Sequence, residues 1–378
     1  MQRKKAPSLL TLAILGLAQV TFSYDAFAKT ADSQTQASTA VIALQATRYQ
    51  EDAELIKKTF EEQLYTLNAE TAGHYGLRMY RQTLNPKYSA AVWSDMARVA
   101  STLNNIAATV HTKEQAKKYG EDKLETYKEK NKPRSQLRYQ VTKDKPEYLF
   151  LGIDLLSTMA RANEYGLKHQ DDSHLRGLLG QFDFKPYATD PDMIRAWAAQ
   201  LANQVYWLRQ LGEQDVVDDF VAVLQKTYPD SKDKELSDQQ FSNKIYGLTH
   251  LIFAASEYYQ HPVDPKEFAW IYTYFDKNID QILTRTKNDV IAEVGISYLL
   301  AGKLNSSTLA DTQATIAHAI DMDKNMIPST DGDYELQKGE HRNVLAIMLL
   351  HWQGVHNAPT VNNHPPVFKN VPYGLVEK

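Results

Sequence analysis

The chain has 378 residues, 42 of them basic and 46 acidic, a formal net charge of −4, and no cysteine. A mildly acidic balance argues against a nucleic-acid face and against adsorption to anionic lipid. Without cysteine there is no thiol catalysis, no thiolate metal site and no disulfide, and the chain is long enough to bury a large core without such cross-links.

The N-terminus opens with Arg3, Lys4 and Lys5, continues in a 12-residue apolar run from Leu9 to Val20, and reaches Ala26-Phe27-Ala28. A positive start, an apolar centre and small residues at −3 and −1 predict a cleaved secretory signal over residues 1–28. The run is shorter than the roughly 20 residues of a membrane span, and a lipid anchor would need a cysteine. Cleavage removes Arg3, Lys4, Lys5 and Asp25 and leaves a 350-residue chain of net charge −6. Residues 29–45 are polar and read as a flexible leader.

Residues 46–356 read as one all-helical domain. Segment 51–68 carries a single apolar stripe (Ile56, Phe60, Leu64, Leu67), as expected of a half-exposed helix. Segment 71–84 is apolar on nearly every side, as expected of a buried one. Residues 112–145 are strongly charged and read as an insertion made of a solvated helix and a loop. Buried helices are predicted again at 146–167, 192–211, 239–259, 288–301 and 339–353. One-stripe helices are predicted at 214–227, 264–285 and 307–321. From 146 onward the buried segments start every 46 to 51 residues, which fits one helix-loop-helix unit per step. The last is preceded by a turn-rich loop, 322–338, placed to overhang a site. Residues 357–378 contain four prolines and read as an extended tail. No run of alternating strands appears.

Buried helices alternating with amphipathic ones predict an α/α toroid (α/α barrel) of about six helical hairpins, with an open α-solenoid as the alternative. In a closed ring only the stripe facing the central cavity can be polar. Those stripes carry the candidate chemistry. On 288–301, Glu293 sits among Val290, Val294, Ile296 and Leu300, in line with Asp289 and Ser297. A carboxylate in such a place must be paired, protonated or cavity-facing, and it suits a general acid or base. On 239–259, Tyr246 and His250 lie one turn apart and are candidate proton-transfer partners. His74, Arg78 and Arg81 form a basic line on 71–84, and Asp154, Thr158 and Arg161 a mixed one on 146–167. Glu340 and His341 open the last buried helix, where free N–H groups favour anions. His74, Arg78, Glu340 and His341 are candidate substrate-positioning groups. Trp207, beside Gln200, Asn203 and Gln204, suits sugar stacking.

Each of these residues has a plainer reading as helix packing or an internal ion pair. A zinc site from His250, His341 and Glu293 is a further alternative, although no close-spaced zinc motif is present. No phosphate-binding glycine loop or nucleophile elbow occurs, and no cofactor is expected.

The segments GHYGLRMYRQ (73–82), KIYGLTHLIFAASEYY (244–259), DVIAEVGISYLLAG (289–302) and EHRNVLAIMLLHW (340–352) resemble a family of exported Gram-negative proteins known as a domain of unknown function. That resemblance brings no catalytic residues. The architecture resembles α/α toroids, which host glycoside hydrolases, polysaccharide lyases, lanthionine cyclases and non-catalytic binders; fold alone does not choose among them. The expectation is an exported hydrolase or lyase acting on carbohydrate or another envelope polymer, with a non-catalytic envelope binder or scaffold as the alternative.

Overall fold

The computed structural model describes residues 44–356, 360, 363 and 368–378. The predicted signal and nearly all of the leader lie outside the described residues. The chain divides into a unit ending at Glu51, described only over helical residues 44–51, and a second unit, Asp52–Lys378, which holds everything below.

The second unit is built from helices. Residues 52–62 (α1) are followed by α2 (Ala69–Thr83), α3 (Ser89–Thr109), α4 (Lys113–Lys128) and α5 (Pro133–Thr142). A π-helical stretch, Leu149–Leu156, runs into α6 (Ser157–Glu164). Then come α7 (Asp172–Leu179), α8 (Lys185–Ala188), α9 (Pro191–Leu211), α10 (Val217–Thr227), α11 (Asp238–Ala255), α12 (Ala269–Arg285), α13 (Asn288–Leu300), α14 (Ser307–His318) and α15 (Leu336–Leu350). No helix among the described residues is long and apolar enough to cross a membrane.

The six predicted buried helices are present as α2, the π-helical stretch with α6, α9, α11, α13 and α15. In α13 every residue from Val290 to Leu300 is buried. Their ends follow local rules. Asn68 caps α2 by accepting from Thr71 N at 2.9 Å, and Asp190 caps α9 ahead of Pro191. Gly212 closes α9 with φ +70°, a left-handed cap that glycine adopts freely. The buried helices pack on one another: α9 on α11, α11 on α13, α13 on α15, and α15 on α2. From α2 the contacts pass through α3 to α6 and on to α9. The one-stripe helices α10, α12 and α14 lie against this inner set.

Two expectations need correction. The charged insertion is two helices, α4 and α5, and both dock on inner helices. Tyr119 and Lys123 of α4 bond Asp154, the former at 2.7 Å, and Arg138 of α5 lies 4.0 Å over the Trp197 ring. α4 is otherwise largely exposed, burying only Ala116, Gly120 and Leu124, so it is the expected loop that differs, being the helix α5. The second correction is a pair of three-residue strands, Leu167–His169 and Leu375–Glu377, which join antiparallel. The end of the proline-rich tail is therefore tied down, by strands too short to show alternation.

Candidate functional site

The C-terminal end of α11 passes into three successive residues with positive φ, Glu257 (49°), Tyr258 (56°) and Tyr259 (74°). None is glycine, so each is costly, and a run of such residues persists only where its surroundings impose it. Here Tyr258 N donates to Phe253 O (2.8 Å), and Tyr259 N to Ser256 Oγ (3.0 Å). This turn places Tyr258 and Tyr259 on the wall of a cavity of about 630 Å³, together with His74, Arg78, Arg81 and Arg161.

Most of the cavity's positive charge is fixed by carboxylates. Arg81 and Arg161 both reach Glu164 Oε2, at 2.7 and 2.5 Å, and Arg161 lies 3.5 Å from Asp95. Arg78 differs. It forms no ion pair among the described residues; it shares a hydrogen bond with Tyr259, and its buried Nε has no hydrogen-bond partner. A cavity-lining guanidinium with an orphan donor is what a carboxylate ligand would satisfy.

Behind Tyr258 runs a chain of polar groups. Its hydroxyl is 3.3 Å from His250 Nδ1 and accepts from Asn203 Nδ2 at 2.5 Å. Asn203 Oδ1 is 3.2 Å from the same Nδ1. On the other side of the ring, His250 Nε2 lies 3.7 Å from Glu293 Oε1, whose second oxygen accepts from Thr249 Oγ1 at 2.7 Å. Glu293 is thus buried and reaches the cavity only through His250 and Tyr258. Burial pushes the Tyr258 hydroxyl well above the usual phenol range; the charges of Tyr259 and Glu293 add to this and those of Arg161 and Arg78 oppose it. At rest Tyr258 is a neutral phenol.

The other predicted residues form a second chain. His74 Nδ1 meets Glu340 at 2.7 Å, and the His74 and His341 rings lie 5.5 Å apart. His341 Nδ1 is 3.5 Å from Asp289 Oδ2, which also accepts from the Tyr246 hydroxyl. Burial lowers the His74 pKa well below the usual imidazole range, aided by the charges of Arg78, His341 and Arg161. Burial raises Glu340 to about 7, against the pull of Arg78 and His341. Both shifts disfavour the charged forms of the pair. For Asp289 burial acts upward, but hydrogen bonding and charge from His341, the Tyr246 hydroxyl and the Arg342 charge hold it well below the usual carboxylate range.

The fold thus joins Glu293 to His250, and His74 to Glu340 and His341, across separate helices. Tyr246 contacts the edge of the His250 ring, 5.9 Å between centroids, but its hydroxyl belongs to Asp289. Trp207 is half-buried and lines neither this cavity nor the one around Tyr246. The zinc set does not assemble, because His341 sits with Asp289, and no group of three ligating side chains suited to a metal occurs among the described residues. Sequence reading passed over Tyr258, whose role depends on a left-handed turn that no glycine announces.

No curated protein matches the chain, and no solved structure does. One family does match, a domain of unknown function (DUF3541), over residues 49–378. Most of the chain is included in that match, so the protein belongs to the DUF3541 family.

Proposed function

We propose that this protein is an exported lyase that cleaves a carboxylate-bearing polysaccharide by β-elimination, within a closed α/α toroid. The observation carrying this reading is the chain Glu293–His250–Tyr258, which ends in a phenol on the cavity wall beside Arg78, a guanidinium with no carboxylate partner among the described residues. It follows the logic of a triad: a buried carboxylate orients an imidazole, and the imidazole takes the proton of the reacting hydroxyl.

In the reaction, Arg78 binds the uronate carboxylate and makes the adjacent C–H more acidic. Tyr258 passes its proton to His250 Nδ1 and takes the proton α to the carboxylate. The β C–O bond breaks, a C=C bond forms, and the leaving oxygen receives from Tyr258 the proton taken from carbon. His250 then returns the phenol proton. Asn203 serves the charged intermediate, with Oδ1 facing the Nδ1–H of the imidazolium and Nδ2 donating to the phenolate. The raised pKa of the phenol opposes the first transfer to His250 and favours the return of that proton at the end. Contact of α15 with α2 supports closure of the ring, and the signal predicted over 1–28 supports export.

The test is turnover of polygalacturonate, alginate and hyaluronate, read by the ultraviolet absorbance of the new conjugated double bond. At least one polymer should be cleaved. Tyr258→Phe should lower kcat by at least about 100-fold with folding unchanged, and Arg78→Gln should raise KM. Products without a double bond, or full activity in Tyr258→Phe, would reject the elimination reading.

A further inference from the structure

A second cavity, of about 540 Å³, lies around Tyr246 and Asp289. It is distinct from the first: Tyr246 is nine helical residues before the end of α11, roughly 14 Å of helix, and Tyr258 lies beyond that end. α5, α11 and α13 all begin at its wall, through Lys132 and Pro133, Asp238, and Lys287.

Two of these starts violate the usual preference. The N-cap positions of α5 and α13 are Lys132 and Lys287, and neither makes a side-chain cap hydrogen bond. An N-cap favours Ser, Thr, Asp or Asn, and the positive end of the helix dipole disfavours a cation there. Arg134 adds a third charge, its guanidinium 5.8 Å over the Tyr246 ring. Lys132, Arg134 and Lys287 form no ion pair among the described residues, whereas the neighbouring Arg195 and Arg285 are paired with Asp192 and Asp238. A further signal is independent of the helix ends. Asp289 Oδ1 is buried on this wall with no hydrogen-bond partner, while Oδ2 is occupied by His341 and Tyr246. An orphan carboxylate oxygen accepts from a ligand hydroxyl.

We propose that this second cavity binds an anionic sugar, its phosphate, sulfate or carboxylate group held by Lys132, Arg134, Lys287 and the open helix starts, and a hydroxyl donated to Asp289 Oδ1. The oxyanion relieves two unfavourable N-caps at once, and the hydroxyl satisfies the orphan acceptor. The site stands on its own geometry and does not depend on the elimination reaction at the first cavity.

The test is calorimetric titration of the full chain carrying Arg78→Gln, so that the first cavity contributes no anion site. Glucose 1-phosphate, glucose 6-sulfate and galacturonate serve as probes for the three oxyanions, and glucose as the neutral control. At least one anionic probe should bind, glucose at least tenfold more weakly, and Arg134→Gln with Lys287→Gln should weaken the anionic probe by at least tenfold. Lys287 is exposed, so Lys287→Gln alone, with an expected loss of about threefold, guards against a misfolded double variant. No binding of any anionic probe, equal binding of glucose, or affinity unchanged by Lys287→Gln and the double variant would overturn the proposal. Because turnover is not measured, the site can stand if the elimination reading fails, and the reverse also holds.

Discussion

His74 and Glu340 meet at 2.7 Å with both pKa values shifted against the charged forms, and this has a measurable consequence. Glu340 titrates near 7 in the folded chain against an ordinary 4.5, so the folded state binds its proton more tightly than the unfolded state. The stabilisation from this proton is complete below pH 4.5 and is lost as pH rises to about 7. His74, shifted downward, acts in the opposite sense and is retained in Glu340→Gln. Comparing that variant with wild type therefore isolates the carboxyl. The variant should gain on wild type between pH 4.5 and 7.5, by about 3 kcal/mol at most at 1.36 kcal/mol per pKa unit. Urea unfolding at several pH values measures this, and a pH-independent difference would show that Glu340 does not hold the proton. The residue types of this site were legible in the sequence, because a Glu, His or Arg on an otherwise apolar helix is conspicuous. Their partners were not. Asp289 and Glu293 lie one turn apart on α13, yet one belongs to Tyr246 and His341 and the other to Thr249 and His250. That division depends on which helices flank α13, which periodicity does not encode.

Helix positions were the most legible level, since a helix apolar all round has one place to go. What remained hidden was how closely the helices approach. A Cβ placed on Gly295 of α13 would fall 2.5 Å from both Leu349 Cδ1 of α15 and Thr312 Oγ1 of α14. The glycine is thus required by contact on two sides, although it weakens the helix locally. Gly295→Val should destabilise the protein by about 1–3 kcal/mol through overpacking, seen as a lower Tm with unchanged far-ultraviolet circular dichroism. A Tm equal to wild type would mean that α13 has room the packing does not show. The same crowding governs the π-helical stretch, where a Cβ on Gly152 would lie 2.6 Å from Gln204 Nε2 of α9. The kink in α9 belongs to this level too. Trp197 leaves helical geometry (φ −134°, ψ 23°) while its indole donates to Thr142 Oγ1 at 3.0 Å and lies under Arg138. Both partners come from α5, in the part of the charged insertion read as a loop.

At the scale of the whole molecule the question is closure, because a toroid gathers the polar stripes into one lumen and a solenoid leaves them along an open groove. The proposal of closure rests on contacts between the first and last of the buried helices. Asn68 N donates to Gln337 Oε1 at 3.1 Å, Gln337 Nε2 donates to Thr71 Oγ1, and His74 meets Glu340, all joining α2 or its cap to α15 across some 270 residues of sequence. In an open solenoid these helices would stand at opposite ends of the stack. The absence of cysteine from the chain makes the arrangement easy to interrogate. Cysteines introduced at Thr71 and Gln337, both near the surface, have no competing thiols. A short bismaleimide should join them in the native protein within one chain and in high yield, and should fail after unfolding in urea. A cross-link closing so long a loop also restricts the unfolded chain, so the product should resist denaturant by about 2–4 kcal/mol more than the unlinked variant. Cross-links that form only between molecules, or none at all, would mean an open stack. The proposed closure would then fail, and the cavity around Arg78 would lose the support that contact of α2 with α15 gives to its wall.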